Sequence, residues 1–365
     1  MPTALSNDSD PKGFPSEILF PCGSAGVLAG PLFFKNLFTM PAAQGIIDGQ
    51  VWLRCILLPK KIGIGFGGSS GSVLDVWTYS LGCTNVFSLD YVPPPSDLSE
   101  FLTAFYYFRA DDAALNELER ADVAQFRFVL AGEGHMEFPD GQQYPFTPCS
   151  LLGPRTVASR VVAKGPVRAF GVGLLAAGWG ALTGVEAVSL TNKMIDATSL
   201  LGPAVLDVHR ALAATDDLDA MVEIGINFAR SLRQRADQVP LWFTRAVDRW
   251  LISSLKPVLA DLIADTGLTR RQIEKLTKQL YGATPGLLVR KYRALRAANA
   301  LARGDEMDEL LAADAFYDQS HFIREVKEFT GITPGAIKDE EERLSRLTFG
   351  RSALAGKVSS LSSDS

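Results

Sequence analysis

The chain contains few of the residues that build metal centres and disulfide frameworks. Its 365 residues include four cysteines and three histidines. The cysteines, Cys22, Cys55, Cys83 and Cys149, are widely spaced, and no two of them form a Cys-x-x-Cys pair. Zinc sites and disulfide scaffolds need grouped or paired cysteines. The sequence therefore predicts neither, and it predicts no cofactor and no metal.

Signals for export and for membrane insertion are also lacking. The N-terminus carries Asp8, Asp10 and Glu17 with a single early Lys12, which is the opposite of the basic start of a secretory signal peptide. The uncharged run over residues 18–34 is interrupted by prolines and glycines, and it is shorter than the roughly 20 apolar residues of a spanning helix. We therefore expect a cytoplasmic protein with no membrane partner.

The glycine-rich stretch 62–71 is not a complete nucleotide-binding loop. It lacks a Gly-Lys-Ser/Thr ending, and the β-branched and aromatic residues that follow it favour a strand. A dinucleotide-binding fingerprint would instead open a helix at this point. A flexible loop is the prediction, and no catalytic residue is predicted in the chain.

Charge is unevenly distributed along the chain. The formal net charge of -5 argues against indiscriminate coating of nucleic acid. Residues 266–303, however, include nine lysines or arginines and one glutamate, whereas residues 304–342 include three lysines or arginines and twelve acidic residues. We expect the first of these segments to supply most of any attraction to phosphate.

The residues before position 200 predict a β-rich region. Three consecutive prolines at 93–95 indicate a boundary, and residues 1–90 are predicted to be an extension of unclear structure. Short apolar segments separated by Gly and Pro turns are typical of a small antiparallel barrel. The predicted strands are Ala124–Leu130, His135–Phe138, Gln142–Phe146, Ser159–Val162 and Val167–Leu174, and Asp97–Phe108 fits either a short helix or a strand.

Helical spacing begins near residue 200. The predicted helices Val205–Ala213 and Leu218–Arg233 occupy a segment, 200–240, that either links the domains and covers the barrel or pairs two subunits. Leu241–Ser253 is predicted to form the next helix.

A helix-turn-helix layout follows this segment. Helices are predicted over Pro257–Asp265 and Arg270–Tyr281, with Gly267 in the tight turn and Thr269 as the cap of the second helix. In this layout the second helix enters the major groove. Its outward side chains suit guanine, adenine and phosphate, and they are Arg270, Arg271, Gln272, Lys275 and Lys278.

The same design is repeated later in the chain. A predicted helix, Met307–Ala313, precedes the stretch Ala315–Phe329, and the Gly-x-x-Pro pairs 282–285 and 331–334 end the two units. One face of the second stretch is polar and carries Gln319, Ser320, His321, Arg324 and Lys327. Two helix-turn-helix units in one chain indicate recognition of two successive major-groove segments.

The stretch Phe-Tyr-Asp-Gln-Ser-His-Phe-Ile-Arg within 315–329 resembles the second recognition helix of the AraC/XylS family of bacterial transcription regulators. The resemblance extends over 241–338 and implies a DNA-binding domain at 241–344, followed by a loose tail at 345–365. Ala315 replaces the usual glycine of the turn, and a Cβ there adds roughly 1 kcal/mol of strain if the turn is left-handed.

The segment from Phe126 through Gly178-Trp179-Gly180, with Leu152-Gly153-Pro154 and Gly171-Val172-Gly173, resembles the cupin-type sensory domains that precede many AraC-like domains. The resemblance covers about residues 91–235, and the barrel itself is predicted over 91–199. The implied fold class is α+β, with a cupin-like barrel before an all-α domain. Four residues were selected as candidate effector ligands at the barrel mouth, although each fits a rim or a core equally well: Arg127, His135, Arg155 and Trp179. One histidine in the strand-rich part does not make a transition-metal site.

The resemblance implies a sequence-specific transcription regulator with double-stranded DNA as its partner. A small-molecule effector, a homodimer and a contact with RNA polymerase are the further partners it suggests. The alternative is a ligand-binding or enzymatic N-terminal module that the C-terminal domain targets to DNA. A DNA-repair methyltransferase would need a reactive cysteine in a zinc-ligand cluster, which the scattered cysteines do not provide.

Overall fold

The structure is a computed structural model, and it describes most residues from 87 onward. The described ranges are 44–47, 50–53, 57–62, 76–81, 87–233, 239–306 and 316–338, with single positions 344, 348, 351, 354, 356–358, 361 and 363. The uncharged run 18–34, loop residues 63–71, the predicted helix 307–313 and Ala315 lie outside them. The chain divides into two compact units, 1–85 and 86–365.

The first unit contains two antiparallel strand pairs among its described residues. Strand β1 (Gln44–Ile47) pairs with β2 (Gln50–Leu53), and β3 (Leu57–Ile62) pairs with β4 (Val76–Leu81). The glycine-rich stretch lies between β3 and β4 in the sequence.

The second unit begins with one eight-stranded antiparallel sheet. Its strands are β5 (Phe87–Val92), β6 (Leu102–Ala110), β7 (Ala114–Glu119), β8 (Ala124–Glu137), β9 (Gln143–Pro145), β10 (Cys149–Leu152), β11 (Ser159–Leu174) and β12 (Met194–Asp196). The hydrogen-bonded order is β12-β10-β8-β11-β6-β5, while β7 also pairs with β11 and β9 with β8. The α+β class predicted from the sequence is confirmed.

The sheet is not closed into a barrel. Its path ends at β5 and β12, and no pairing joins these two strands in the described part of the chain. Strand β12 has only three residues, and β10 beside it has four. The predicted closed barrel is therefore corrected to an open sheet.

Two predicted turns are bulges within long strands. Gly132 lies inside β8, and Gly165-Pro166 lies inside β11, so each predicted pair of strands is one continuous strand. The register between β8 and β11 shifts next to these positions, between Lys164 and Arg168. A Cβ on Gly132 would lie 3.0 Å from Pro166 O. The glycine thus permits a close approach of two strands. In the sequence, a glycine at such a bulge cannot be distinguished from a glycine in a turn.

Helices form the rest of the second unit. They are α1 (Ala176–Thr183), α2 (Ala187–Leu190), α3 (Thr198–Leu201), α4 (Val205–Ala213), α5 (Leu218–Arg233), α6 (Leu241–Ser253), α7 (Leu259–Thr266), α8 (Arg270–Tyr281), α9 (Pro285–Ala302), α10 (Gln319–Thr330) and α11 (Pro334–Lys338). Helices α4, α5, α6 and α8 have the predicted bounds, and α7 begins two residues later than predicted. No helix among the described residues has the length and apolar character needed to cross a bilayer.

The two faces of the sheet differ in what covers them. Along β6, Phe105 points to one face and Tyr106 to the other, as the alternation of a strand requires. The first face packs against α4 and α5, where Phe228 makes edge-on ring contacts with Phe126 and Phe128. The apolar stripe of α5 therefore covers this face of the sheet. The pairing of two subunits through α4 and α5 remains a prediction. The second face encloses a cavity.

The loop between β7 and β8 joins the sheet to the later helices. Ala121 is fully buried against Leu295 of α9 and Phe329 of α10, and its N–H donates to Phe329 O at 2.7 Å. The neighbouring Arg120 donates from Nη1 to Asn299 Oδ1 at 2.7 Å. The sheet and these helices consequently share one interior.

Several described positions near the C-terminus are buried. Leu344 packs with the residues on the cavity side of the sheet, and Leu361 packs with the core between α6 and α8. Arg351 is 3% exposed. The sequence predicts a loose tail from residue 345, whereas these side chains lie in the interior.

Candidate DNA-binding surface and buried cavity

The first helix-turn-helix unit has the predicted turn and cap. Helix α7 ends at Gly267, whose φ of 66° is left-handed, a conformation that glycine adopts at little cost. Thr269 Oγ1 caps α8 by accepting from Gln272 N–H, and Gln272 Oε1 accepts from Thr269 N–H at 2.9 Å. This reciprocal capping box fixes the start of α8.

Helix α8 exposes a basic face. Ile273, Thr277 and Leu280 are buried against the preceding helices. All five residues predicted to contact DNA are exposed, and they are Arg270, Arg271, Gln272, Lys275 and Lys278. Arg270 forms an ion pair with Glu274 at 2.8 Å, and Gln272 is engaged in the cap. The exposed cations Arg271, Lys275 and Lys278 are therefore the best placed for a phosphate or a base.

Helix α9 uses its cations within the protein. Arg293 and Arg290 contact the buried carboxylate of Glu325 at 2.6 and 3.2 Å, respectively. Lys291 donates from Nζ to Asp122 O at 2.6 Å. Residues 266–303 are expected to attract phosphate, and within them these contacts engage three cations of α9.

Helix α10 presents a smaller polar surface. Asp318 caps it by accepting from His321 N–H at 2.7 Å, and Phe322, Val326 and Phe329 are buried. Four of the predicted contact residues are exposed, namely Gln319, Ser320, Arg324 and Lys327. The fifth, His321, is partly buried, with Nε2 3.7 Å from Glu325 Oε2.

An open cavity lies on the face of the sheet opposite α4 and α5. Eight of its lining residues are apolar, and they are Leu89, Phe108, Val129, Phe146, Val161, Val167, Ala169 and Leu344. The rest of its lining is Tyr91, Tyr106, Glu119, Asp122, Gln125, Arg127, Thr348 and Arg351. The cavity thus combines a large apolar part with hydrogen-bonding and charged groups.

The charged groups form one buried network. Arg127 Nη2 lies 2.7 Å from Glu119 Oε1, and Arg155 Nη1 lies 2.9 Å from Glu119 Oε2. Asp122 Oδ2 lies 2.9 Å from Arg351 Nη2 and 3.6 Å from Arg155 Nη2. Three guanidinium groups therefore share two carboxylates.

Both carboxylates are ionised in this network. Burial alone would raise the pKa of Glu119, but Arg127 and Arg155 hold that pKa at about 2. Burial likewise opposes ionisation of Asp122, yet Arg351 and Arg155 hold the pKa of that carboxyl well below its usual value. Arg127, Arg155 and Arg351 therefore stabilise the ionised form of both carboxylates.

Comparison with known domains identifies the C-terminal region. Residues 262–340 match a helix-turn-helix domain family. The C-terminal part of the chain is an AraC-type DNA-binding domain. The resemblance of the C-terminal region to AraC-type domains is confirmed, and this domain supports a DNA-binding transcription regulator. No curated protein matches the chain in sequence.

Solved structures of regulators are also similar to the chain. ToxT from Vibrio cholerae has 9% identity and a TM-score of 0.39, with 65% of this chain and 96% of ToxT covered. Unsaturated fatty acid-bound ToxT has 11% identity and a TM-score of 0.36, with 68% and 93% covered. The AraC-like transcriptional activator CuxR has 12% identity and a TM-score of 0.29, with 62% and 91% covered. TM-scores in this range do not establish a shared fold.

The structure brings together two of the four predicted effector residues. Arg127 lines the cavity, and Arg155 contacts Glu119 beside it. His135 is paired in the hairpin with β9, away from the cavity lining. Trp179 is buried in α1, where its Nε1–H donates to Val185 O at 2.6 Å. His135 and Trp179 therefore do not line the cavity, because they are positioned in the hairpin and in the core, respectively.

The sequence interpretation missed several residues of the cavity. Glu119 ends β7 and Asp122 lies in the loop after it, and the charged run 117–122 that contains both was the available signal. Arg351 had no such signal, because it lies in the predicted tail. Among the residues that the structure describes, no group of three or more His, Cys, Asp or Glu side chains is arranged to hold a metal ion.

Proposed function

We propose that this regulator binds DNA chiefly through α8 and that a small molecule in the sheet cavity controls it. The observation that supports the first part is the exposed cationic face of α8 beside a turn and cap of helix-turn-helix geometry. Arginine pairs with guanine edges and lysine with phosphates, so Arg271, Lys275 and Lys278 are the proposed principal contacts. Helix α10 contributes a second, weaker set of contacts.

The cavity supports the second part of the proposal. An apolar wall with a few convergent polar groups is typical of a small-molecule site. Because apolar side chains and polar groups such as Gln125 and Arg127 line the same cavity, we propose a ligand that combines an apolar body with a polar group. Control of transcription by such a ligand needs no catalytic step.

Selection from a pool of random-sequence duplexes, repeated at several salt concentrations, tests the DNA-binding part. We expect enrichment of particular sites and a linear fall of log affinity with log salt, because cations that neutralise phosphates release counterions. Binding without site preference at physiological salt would contradict sequence-specific regulation. The enriched duplex then serves as the probe for variants.

A further inference from the structure

The C-terminal ends of the two recognition helices, α8 and α10, both lie against the sheet region, residues 87–201. Helix α8 ends at Gly282 and α10 ends at Gly331, and both glycines have left-handed backbones, with φ of 74° and 81°. Such a backbone turns the chain out of a helix, and glycine adopts it without a side chain in the way. Each helix end can therefore approach the sheet region closely.

Thr191 contacts the end of α8. Its hydroxyl donates to Gly282 O at 2.9 Å and also lies 3.1 Å from Ala187 O of α2. A Cβ on Gly282 would clash with Thr191 Oγ1. Helix α1 approaches α8 as well, since a Cβ on Gly180 would lie 3.0 Å from Leu280 Cδ2. The sheet region therefore holds α8 through α1 and through the loop after α2.

A second set of contacts holds the end of α10. A Cβ on Gly331 would lie 3.0 Å from Ala158 Cβ and 3.3 Å from Leu118 Cδ1. Leu118 also packs against the apolar core around α10, and Ala121 N–H donates to Phe329 O at 2.7 Å. One folded region thus contacts both recognition helices at corresponding positions.

Helix α9 is the other connection between the two helix-turn-helix units. Leu288 and Tyr292 near its start belong to the core around α8, and Ala297 and Leu301 near its end belong to the core around α10. The sheet region adds a second support at the C-terminal ends of α8 and α10. Two supports restrict the rotation of one unit relative to the other more than a single helix does.

We propose that the sheet region fixes the separation of α8 and α10, so that the protein selects DNA by the spacing between its two binding segments, with Thr191 as a positioning residue. This inference rests on the proposed DNA binding through both helices. The two helices bind at once only if their separation matches the repeat of the major groove. A rigid pair accepts one spacing, whereas a loosely connected pair accepts several.

Two duplexes test this proposal, namely the enriched duplex and a copy with one base pair inserted between its two contacted segments. Hydroxyl-radical footprinting of the enriched duplex first locates these segments. The insertion rotates the second segment by about 35° and shifts it by about 3.4 Å relative to the first. We expect the full-length wild type to bind the inserted duplex at least about tenfold more weakly, because base contacts in one segment are lost.

Substitutions of Thr191 release the end of α8 to different degrees. Thr191→Leu removes the hydroxyl and adds bulk beside Gly282, and it should reduce the ratio of the two affinities to about threefold or less. Thr191→Val keeps the volume and loses the hydrogen bond, so it should give an intermediate ratio and provides the test if Thr191→Leu does not fold. Thr191→Ser retains the hydroxyl and should keep the wild-type ratio.

Ser199→Leu is the matched control, because it places the same side chain at an exposed position of α3. It should keep the wild-type ratio of affinities. Circular dichroism checks the fold of each variant. Footprinting on the inserted duplex should show one protected segment for the wild type and two for Thr191→Leu, a difference that a loss of stability alone would not produce.

The outcomes separate this inference from the proposed function. If no duplex is enriched, DNA binding through the two helices itself fails. If the wild type discriminates against the insertion and both Thr191→Leu and Thr191→Val discriminate to the same extent, α9 alone sets the spacing and the role of the sheet region is refuted. Equal binding of the two duplexes by the wild type would also refute it, because the separation of the helices would not be fixed.

Discussion

The ammonium group of Lys291 lies in the interior between α9 and the β7–β8 loop. Burial lowers the pKa of Lys291 to about 7, despite the opposing charge of Asp122, whereas a lysine in an unfolded chain titrates near about 10.4. Between these values the unfolded chain binds more protons than the folded chain. Stability therefore rises with pH in this window as far as Lys291 determines it.

Replacement of Lys291 by Met should remove this dependence. We expect the free energy of unfolding of the wild type, relative to Lys291→Met, to increase from pH 7 to pH 9 by up to about 1.4 kcal/mol per pH unit. Urea denaturation of both proteins at several pH values measures this difference in the free energy of unfolding. Lys275→Met on the exposed face of α8 is the control and should show a difference from the wild type that does not vary with pH.

At the level of elements, α8 and α10 have unequal cationic surfaces. Arg271 lies on α8 with exposed Lys275 and Lys278 near it, while Arg324 on α10 lies on the same helix as exposed Glu328. The acidic composition of the second unit weakens its attraction to phosphate. Helix α9 does not compensate, because Arg290 and Arg293 are paired with Glu325.

Alanine variants measure this asymmetry on an enriched duplex. Arg271→Ala should reduce affinity about tenfold or more, which corresponds to about 1–3 kcal/mol for one arginine contact to a base. Arg324→Ala should cost less, and Arg290→Ala should leave the salt dependence of binding unchanged. Equal losses for Arg271→Ala and Arg324→Ala would contradict the asymmetric reading.

The helices were predictable because their signals are local. The bounds of α8 follow from its apolar spacing, from Gly267 and from the Thr269 cap, all of which lie within or next to the helix. The long strands were not predictable in the same way, because Gly132 and Gly165-Pro166 look like turns until the opposite strand is known.

The candidate site was only partly predictable, because contacts between distant parts of the chain leave no local signal in the sequence. Arg127 and Arg155 were selected by residue type near predicted strands. Their partners Glu119 and Asp122, and the more distant Arg351, meet only in the folded chain. The sequence also predicts Trp179 at the barrel mouth, but its indole N–H donates to Val185 O inside the core.

For the whole molecule, we expect the contact at Ala121 to help the sheet and the AraC-type domain unfold together. Ala121 is completely buried between α9 and α10. Ala121→Arg would place a guanidinium in this contact, where there is no space for it, and should separate the two regions. We expect calorimetry to show two unfolding transitions and X-ray scattering to show a larger radius of gyration.

Ala114→Arg is the matched control for this variant. Ala114 begins the strand that leads to Ala121, and its side chain is exposed. Ala114→Arg should therefore show the same calorimetric transitions and the same radius of gyration as the wild type. A single transition with an unchanged radius for Ala121→Arg would show that the contact does not hold the regions together.

The β7–β8 loop also limits how this regulator can be recombined with others. Arg120, Ala121 and Asp122 face Asn299, Phe329 and Lys291, respectively. The two regions are therefore a co-adapted pair rather than interchangeable modules. A chimaera that takes its DNA-binding domain from another regulator would have to carry over these matching positions as a set.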